Sequence, residues 1–351
     1  MTHLMHTYNR LNQTFVKGEG VWLYDNDGRA YLDALSGIAV CGLGHAHPEL
    51  TQALYHQAQT LWHTSNLFPI PAQEQAAQTL CELSGMQRAF FCNSGTEANE
   101  AALKLTRLHA RKHNIEHPIV ISFTHSFHGR TFGAMSATGN SKIQQGFAPL
   151  LPQFLHLPYN DLEALIRVSD NANIVAILLE CVQGEGGIHL IDPQFIQHIR
   201  QLCTQHNWLM IIDDIQAGMG RTGKWFSYQH YSLTPDVLTL AKGLGNGLPV
   251  GACLARGSAA ELFQAGNHGT TFGGSPLIMH VVNTLLQIYQ RDQLIENAQT
   301  VGAYLLSQLQ QQFNAHPNIV EIRGQGSCSA SNSNKALTSL LIKHCMNNNL
   351  F

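Results

Sequence analysis

The sequence predicts an α/β fold built on a mainly parallel central sheet, and three observations support that expectation. From residue 88 to residue 255, short apolar runs of strand length alternate with stretches of helical spacing. Runs such as NIVAILLE and WLMIID are apolar almost throughout, which suits strands covered on both faces by helices. The chain has 351 residues, enough for one large unit and one smaller one.

The elements follow in order. Residues 15–35 read as a strand, an Asn26-Asp27-Gly28 turn and a second strand, a β-hairpin entry. His47-Pro48-Glu49 opens a helix running to about Trp62, and Pro71 opens another to about Ser84. Residues 88–92 form a strand, and helix-forming residues follow from Gly95 to Lys104. Strands are expected at 118–123, 173–180, 208–213, 237–241 and 251–255, with a helix at 193–207. Residues 275–314 carry apolar positions at helical spacing and lead from the large unit into a small C-terminal one. No internal repeat interrupts the series.

Composition narrows the function. Apolar residues make up 44% and charged residues 12%, which argues against a disordered chain. The net charge is -3 without a basic run, so neither nucleic acid nor an anionic membrane surface is indicated. No apolar stretch is long enough to span a bilayer, and MTHLMHTYNR lacks a signal-peptide pattern, so a cytoplasmic protein is expected. The eight cysteines form no Cys-x-x-Cys pair and read as reduced, buried residues. Twenty histidines include no set with zinc-like spacing, so no metal is expected.

Four polar clusters sit where strands end, the edge at which parallel sheets bind ligands. Asn93-Ser94-Gly95-Thr96-Glu97 links a strand to a helix; the free N–H groups there suit a phosphate, though they equally suit an ordinary helix cap. Asp213 ends an apolar strand, where a buried acid needs a cationic partner; a protonated pyridine nitrogen is one, and a helix cap or a metal carboxylate pair (Asp213-Asp214) is the alternative. Lys242 follows another apolar strand and precedes three glycines in five residues, a setting for a Schiff-base lysine or simply for a loop lysine. Ser126-Phe127-His128-Gly129-Arg130 offers a ring to stack on a flat cofactor and an arginine to hold a carboxylate, or else a core Phe and a surface Arg. No cluster decides alone, but their order supplies one cofactor's set of contacts.

The chain resembles the class III (ornithine-type) aminotransferases of pyridoxal-phosphate fold type I, from about Phe15 to about Gly326. The carriers are GIAVCGLGHAHP (37–48), LWHTSNLF (61–68), NSGTEANEAALKL (93–105), SFHGRT (126–131), QGEGG (183–187), DDIQAGMGRTGKWF (213–226), LAKGLGNGLPVGA (240–252) and HGTTFGGSP (268–276). The resemblance implies a large cofactor-binding domain with a mainly parallel sheet over residues 46–280. It also implies a smaller α+β domain formed by residues 281–351, cut short, with a contribution from residues 1–45. By the same resemblance Lys242 is the Schiff-base lysine and the proton-moving base, and Asp213 pairs with the pyridine nitrogen. Gln216 meets the phenolic oxygen side, Ser94, Gly95 and Thr96 hold the phosphate, and Phe127 stacks on the ring. Arg130 takes a substrate carboxylate and Thr270 lies near the substrate. Thr271 reaches the phosphate of a neighbouring subunit, which implies a homodimer with shared sites, and Glu185 swings between half-reactions.

Within the family, HTSNLF and GIAV resemble the acetylornithine-acting branch, which implies transfer of an amino group from N-acetylornithine to 2-oxoglutarate in arginine biosynthesis. Related donors (succinylornithine, succinyl-diaminopimelate, ornithine, 4-aminobutyrate) and a pyridoxal-phosphate-binding relative without turnover are the alternatives. Two departures stand out. Asp214 replaces the family's usual Glu, which keeps the charge with a shorter reach. After Gly326 the family continues with an apolar strand, whereas Ser327 to Asn334 is small, polar and turn-like, and the last part of the small domain, with an arginine partner for Glu185, is expected to be missing.

Overall fold

The chain opens with a three-stranded antiparallel sheet, β1 (Phe15–Glu19), β2 (Trp22–Asp25) and β3 (Ala30–Leu32), turned at Asn26–Gly28 as expected but also at Gly20-Val21, so the single strand expected before Asn26 is two. These coordinates are a computed structural model, and the structure describes residues 3–333, 345, 346 and 348–350. A short turn, α1 (Ser36–Ala39), follows with left-handed backbone: φ is 55° at Ser36, 64° at Gly37, 64° at Ile38 and 62° at Ala39. L-residues avoid this conformation, and here polar contacts hold it. Asp33 Oδ1 accepts from the N–H groups of Leu35 (3.0 Å) and Ser36 (2.7 Å), and Ser36 Oγ donates to Cys41 O at 2.8 Å. Asn246, two hundred residues away, accepts from Leu43 N at 2.8 Å and donates to Gly44 O at 3.1 Å.

Helices α2 (Pro48–Ala58) and α3 (Pro71–Ser84) both start on proline. The helix expected to reach Trp62 stops at Ala58; the Trp62 indole donates to Ala58 O at 2.6 Å and caps it. Then come β4 (Arg88–Cys92), α4 (Gly95–Lys112), β5 (Ile119–Phe123), α5 (Phe132–Ala137), α6 (Ser141–Gln144) and β6 (Phe154–Leu157). After them the chain forms α7 (Leu162–Val168), β7 (Ile174–Leu179), the small pair β8 (Val182–Gln183) and β9 (His189–Leu190), α8 (Pro193–His206), β10 (Leu209–Asp213), β11 (Val237–Leu240) and β12 (Gly251–Ala255).

Seven strands form the central sheet in the order β4-β12-β11-β10-β7-β5-β6. All are parallel except β12, which runs antiparallel to both neighbours. Every residue of β7, β10, β11 and β12 is buried. One face packs on α4, through residues such as Ala101, Ala102 and Leu105; the other packs on α8 and α3 and continues to α9. Burial of each Ile or Leu contributes roughly 1.5–3 kcal/mol, so this sheet is the stable frame of the molecule.

The long helical stretch is two helices, α9 (Pro276–Arg291) and α10 (Leu294–Phe313). They break at Gln293, whose φ of 52° no helix continues. A hairpin follows, β13 (Ile319–Gln325) and β14 (Cys328–Ser333). This corrects the turn-like reading of 327–334. The segment lacks strand pattern because little of it is buried, and its strand form comes from backbone pairing with β13 and a tight turn at Gly326 (φ 58°). Asn334 and residues 335–344, 347 and 351 lie outside the described residues. Near the chain's last described residues Leu32 N donates to Asn349 O at 2.8 Å.

Candidate active site

Parallel strands point their carboxyl ends to one edge, so the residues after β4, β5, β7, β10 and β11 converge. They line a cavity of about 370 Å3, a volume typical of small-molecule sites. Ser94, Gly95, Thr96, Phe127, Arg130, Glu185, Asp213, Gln216 and Lys242 all line it. Because β12 is reversed, the residues before it, Leu248 to Val250, complete the wall, and Val40 closes it from the left-handed turn.

The N-terminus of α4 faces the cavity. Ser94 is its cap: Oγ accepts from Glu97 N at 3.3 Å, and Ser94 O accepts from Ala98 N at 3.1 Å. Of the four N–H groups a helix start leaves unpaired, those of Gly95 and Thr96 remain to meet an anion, assisted by the helix dipole. A Cβ on Gly95 would sit 2.8 Å from Ile215, so the close approach needs glycine. Thr96 Oγ1 lies 2.8 Å from Thr131 Oγ1, and Thr131 donates to Glu100 Oε1 at 2.5 Å. The Thr131 proton is thus spent on Glu100, and Thr96 donates to Thr131, which leaves the Thr96 backbone N–H as the group free to meet an anion.

Asp213 is buried at the tip of β10. Its Oδ2 accepts from Asn99 Nδ2 and from His128 Nδ1, both at 2.7 Å, and its Oδ1 accepts from Ile215 N at 3.1 Å. A carboxylate opposite Nδ1 takes only a donor, which fixes the His128 tautomer. Thr239 Oγ1 donates to Asn99 Oδ1 at 2.8 Å, and Asn99 also donates to His128 O at 2.7 Å. Lys242 follows β11 with a φ of 45°. Burial pulls its ammonium below the ordinary lysine value, and Asp213, then Glu185, oppose that shift.

Arg130 is exposed at the cavity mouth, its guanidinium carbon 5.9 Å from the Phe127 ring centre. Gln216 packs on Gly184 so tightly that a Cβ there would meet Gln216 Oε1 at 1.4 Å. Glu185 is exposed on the next residue. Thr270 and Thr271 do not line the cavity: Thr270 Oγ1 accepts from Asn93 Nδ2 at 3.2 Å, and Thr271 is exposed. Asp214, read as a charge-keeping replacement, points away from the cavity into a buried site where Ser227 N donates to it at 2.8 Å and Ser227 Oγ donates as well. Burial pushes its carboxyl up to about 7, against the Ser227 hydrogen bonds.

Sequence reasoning missed Asn99, Thr239 and Glu180 and gave His128 no role. The signals were there: an Asn inside a helix, a Thr in the apolar run VLTL, and a strand-end acid in NIVAILLE.

A phosphate cradle, an aromatic face, a held carboxylate and a half-buried lysine in one cavity fit pyridoxal 5'-phosphate, and define a cofactor-dependent transferase of fold type I. The family model for class-III aminotransferases matches residues 5–348, and the chain belongs to that family. It is 53% identical to the acetylornithine aminotransferase of Nitrosomonas europaea over 93% of this chain and 83% of the relative. Its structure is similar to the ornithine aminotransferase of Toxoplasma gondii ME49, with a TM-score of 0.96 and 30% identity over 99% of this chain and 84% of that one. It is also similar to the acetylornithine aminotransferase of Elizabethkingia anophelis, with a TM-score of 0.88 and 31% identity over 99% and 87%. The protein is a transaminase whose cofactor is pyridoxal 5'-phosphate.

Proposed function

We propose that the protein transfers the δ-amino group of N-acetylornithine to 2-oxoglutarate, in arginine biosynthesis. The observation that carries this reading is the meeting of Lys242, Asp213, Phe127, Arg130 and the α4 N-terminus around one cavity, in a chain about half identical to acetylornithine aminotransferases. When bound, the cofactor supplies an aldehyde and an electron-withdrawing ring.

The residues act as follows. The Gly95 and Thr96 N–H groups bind the phosphate, with Ser94 shaping the turn. Phe127 supports the ring face, Gln216 its phenolic edge, and Asp213 its ring nitrogen, with the negative charge kept in place by Asn99, His128 and Ile215. Lys242 Nζ would hold the aldehyde until the substrate amine takes its place, and the freed lysine amine would then take the proton from the carbon that bears that amine; its depressed basicity favours the uncharged form. Arg130 grips the α-carboxylate at the mouth, which holds the acetylated α-nitrogen away from Lys242 and presents the δ-amine. Glu185 adjusts the mouth between the two substrates.

The proposal includes a homodimer with shared sites. Thr271 and its exposed neighbour Phe272, together with exposed Trp62, Leu67 and Phe68, form an apolar surface suited to a second copy, with Thr271 reaching that copy's phosphate and Thr270 lying near the substrate. The Leu32–Asn349 hydrogen bond supports residues 1–45 joining residues 281–351 in one small domain, beside the large domain of 46–280. A cytoplasmic location is supported by eight free thiols. No helix among the described residues is long and apolar enough to cross a membrane.

Mixing the yellow protein with N-acetylornithine should bleach its visible band in one turnover, and 2-oxoglutarate should restore it. A band that ignores N-acetylornithine but responds to succinylornithine, succinyl-diaminopimelate, ornithine or 4-aminobutyrate would move the donor assignment. A band that answers no amine would indicate cofactor binding without turnover.

A further inference from the structure

One acid in the cavity has no role in the mechanism above. Glu180 follows β7, is 6% exposed and lines the cavity wall. Tyr159 fixes its backbone by donating to Glu180 O at 2.8 Å. The chain treats its two cavity-floor acids differently. Asp213 collects three donors, from Asn99, His128 and Ile215. Among the described residues the Glu180 carboxyl receives a single N–H, from Phe127 to Oε2 at 3.2 Å. Among the described residues no Lys, Arg or His reaches Glu180 at ion-pair distance. The ionisable groups that face it are Asp213, Lys242 and Glu185, and of these Asp213 acts on it most strongly, ahead of the Lys242 amine. A carboxylate there would be buried beside another anion with one donor, whereas the protonated acid still accepts the Phe127 N–H and adds no charge.

The geometry points to Glu180 as a positioning residue that works as a neutral carboxylic acid, its oxygen holding the Phe127 N–H and so the ring and Arg130 that follow it. Burial, then repulsion from Asp213, push its carboxyl well above the usual carboxylate range, in agreement. The arrangement reserves the anionic charge of the cavity floor to Asp213, the separation of roles that adjacent carboxyls achieve when their surroundings differ. The purpose of the Phe127 anchor rests on the proposed cofactor site; the protonation state of Glu180 does not.

The decisive comparison uses the protein as purified, at neutral pH. An infrared difference spectrum between wild type and Glu180→Gln should lose the carbonyl stretch of a protonated carboxyl; loss of an ionised carboxylate band instead overturns the proposal. This readout requires no turnover, so it stands apart from the substrate assignment. In the loaded protein Glu180→Gln, which keeps an acceptor oxygen, should leave the pH midpoint of the visible band unchanged, whereas removal of a true anion would shift it by about one unit. Glu180→Ala, which strands the Phe127 N–H, should weaken cofactor binding about tenfold. Wild-type cofactor affinity in a folded Glu180→Ala protein sinks the anchoring role, and if that variant does not fold, Glu180→Gln and the infrared band decide.

Discussion

The strand-end cavity and the C-terminal helix–hairpin unit are held in different ways. Strands β7, β10, β11 and β12, which carry the cavity, bury every residue. Helix α10 buries Ile295 and Gly302 among its twenty residues and leaves Val301, Tyr304 and Phe313 exposed, and β13 buries Ile322. The hairpin relies instead on directional contacts. Arg323 donates through Nε to Gly187 O at 3.0 Å and Ile188 O at 3.2 Å, and Ser327 N donates to Arg221 O at 2.9 Å. Gly302 lets Gly326 approach so closely that a Cβ would meet its carbonyl oxygen at 1.9 Å. The cavity floor is therefore set by burial that no single polar contact controls. The hairpin depends on few bonds, and Arg323 ties it to the loop that carries Glu185.

The largest effect should come from the floor. Lys242→Ala should lower kcat by more than about a thousandfold while the melting temperature stays close to wild type, since the side chain supports no core. Retention of turnover would remove the site assignment. Next, Ile211→Ala should cost about 2–5 kcal/mol of unfolding free energy, against about 0.5 kcal/mol for Val301→Ala on α10. Equal costs in denaturant titrations would abolish the contrast between the regions. Arg323→Ala should speed amide hydrogen exchange at 184–190 and 319–333 about tenfold, with exchange in β7 and β10 unchanged. Exchange that rose everywhere would make the hairpin part of the global fold.

The smallest effect concerns Asp214. Its folded carboxyl sits at about 7 against an ordinary 3.8, so the folded state holds the proton more tightly than the unfolded one. Stability then falls as pH rises from about 4 to about 7 and levels off above, because the buried group must ionise in that window. Asp214→Asn removes the ionisation, so its melting temperature should depend less on pH across that range. An unchanged slope would assign the dependence to other groups.

Much of this frame was legible before the coordinates. Prolines at 48, 71 and 193 marked helix starts because proline costs a helix nothing at its first position. The apolar runs at 174–179 and 209–213 marked buried strands. The cavity residues were legible where a strand end coincided with a charged or glycine-rich break, as at Asp213 and Lys242. Tertiary facts were not. The strand at 328–333 has no pattern of its own, because its partner dictates it. The break at Gln293 depends on one backbone angle in a run that is helical on both sides. Asn99 and Thr239 matter because a helix and a strand 140 residues apart meet there, and Glu180 ended a strand in the same way as Asp213 without being read as chemistry.

The left-handed turn at 36–39 has a consequence for the order in which the protein assembles. Its three L-residues resist that backbone by about 1–2 kcal/mol each, and the local bonds from Asp33 and Ser36 offset part of that cost. Their nearby anchor is Asp33, but the stretch that follows is secured by Asn246, a partner 203 residues along the chain from Leu43. Contacts of such separation form late, after shorter loops have closed. The segment from Leu43 that backs the wall at Val40 is thus expected to settle late, which leaves the pocket open on that side while the sheet is already formed.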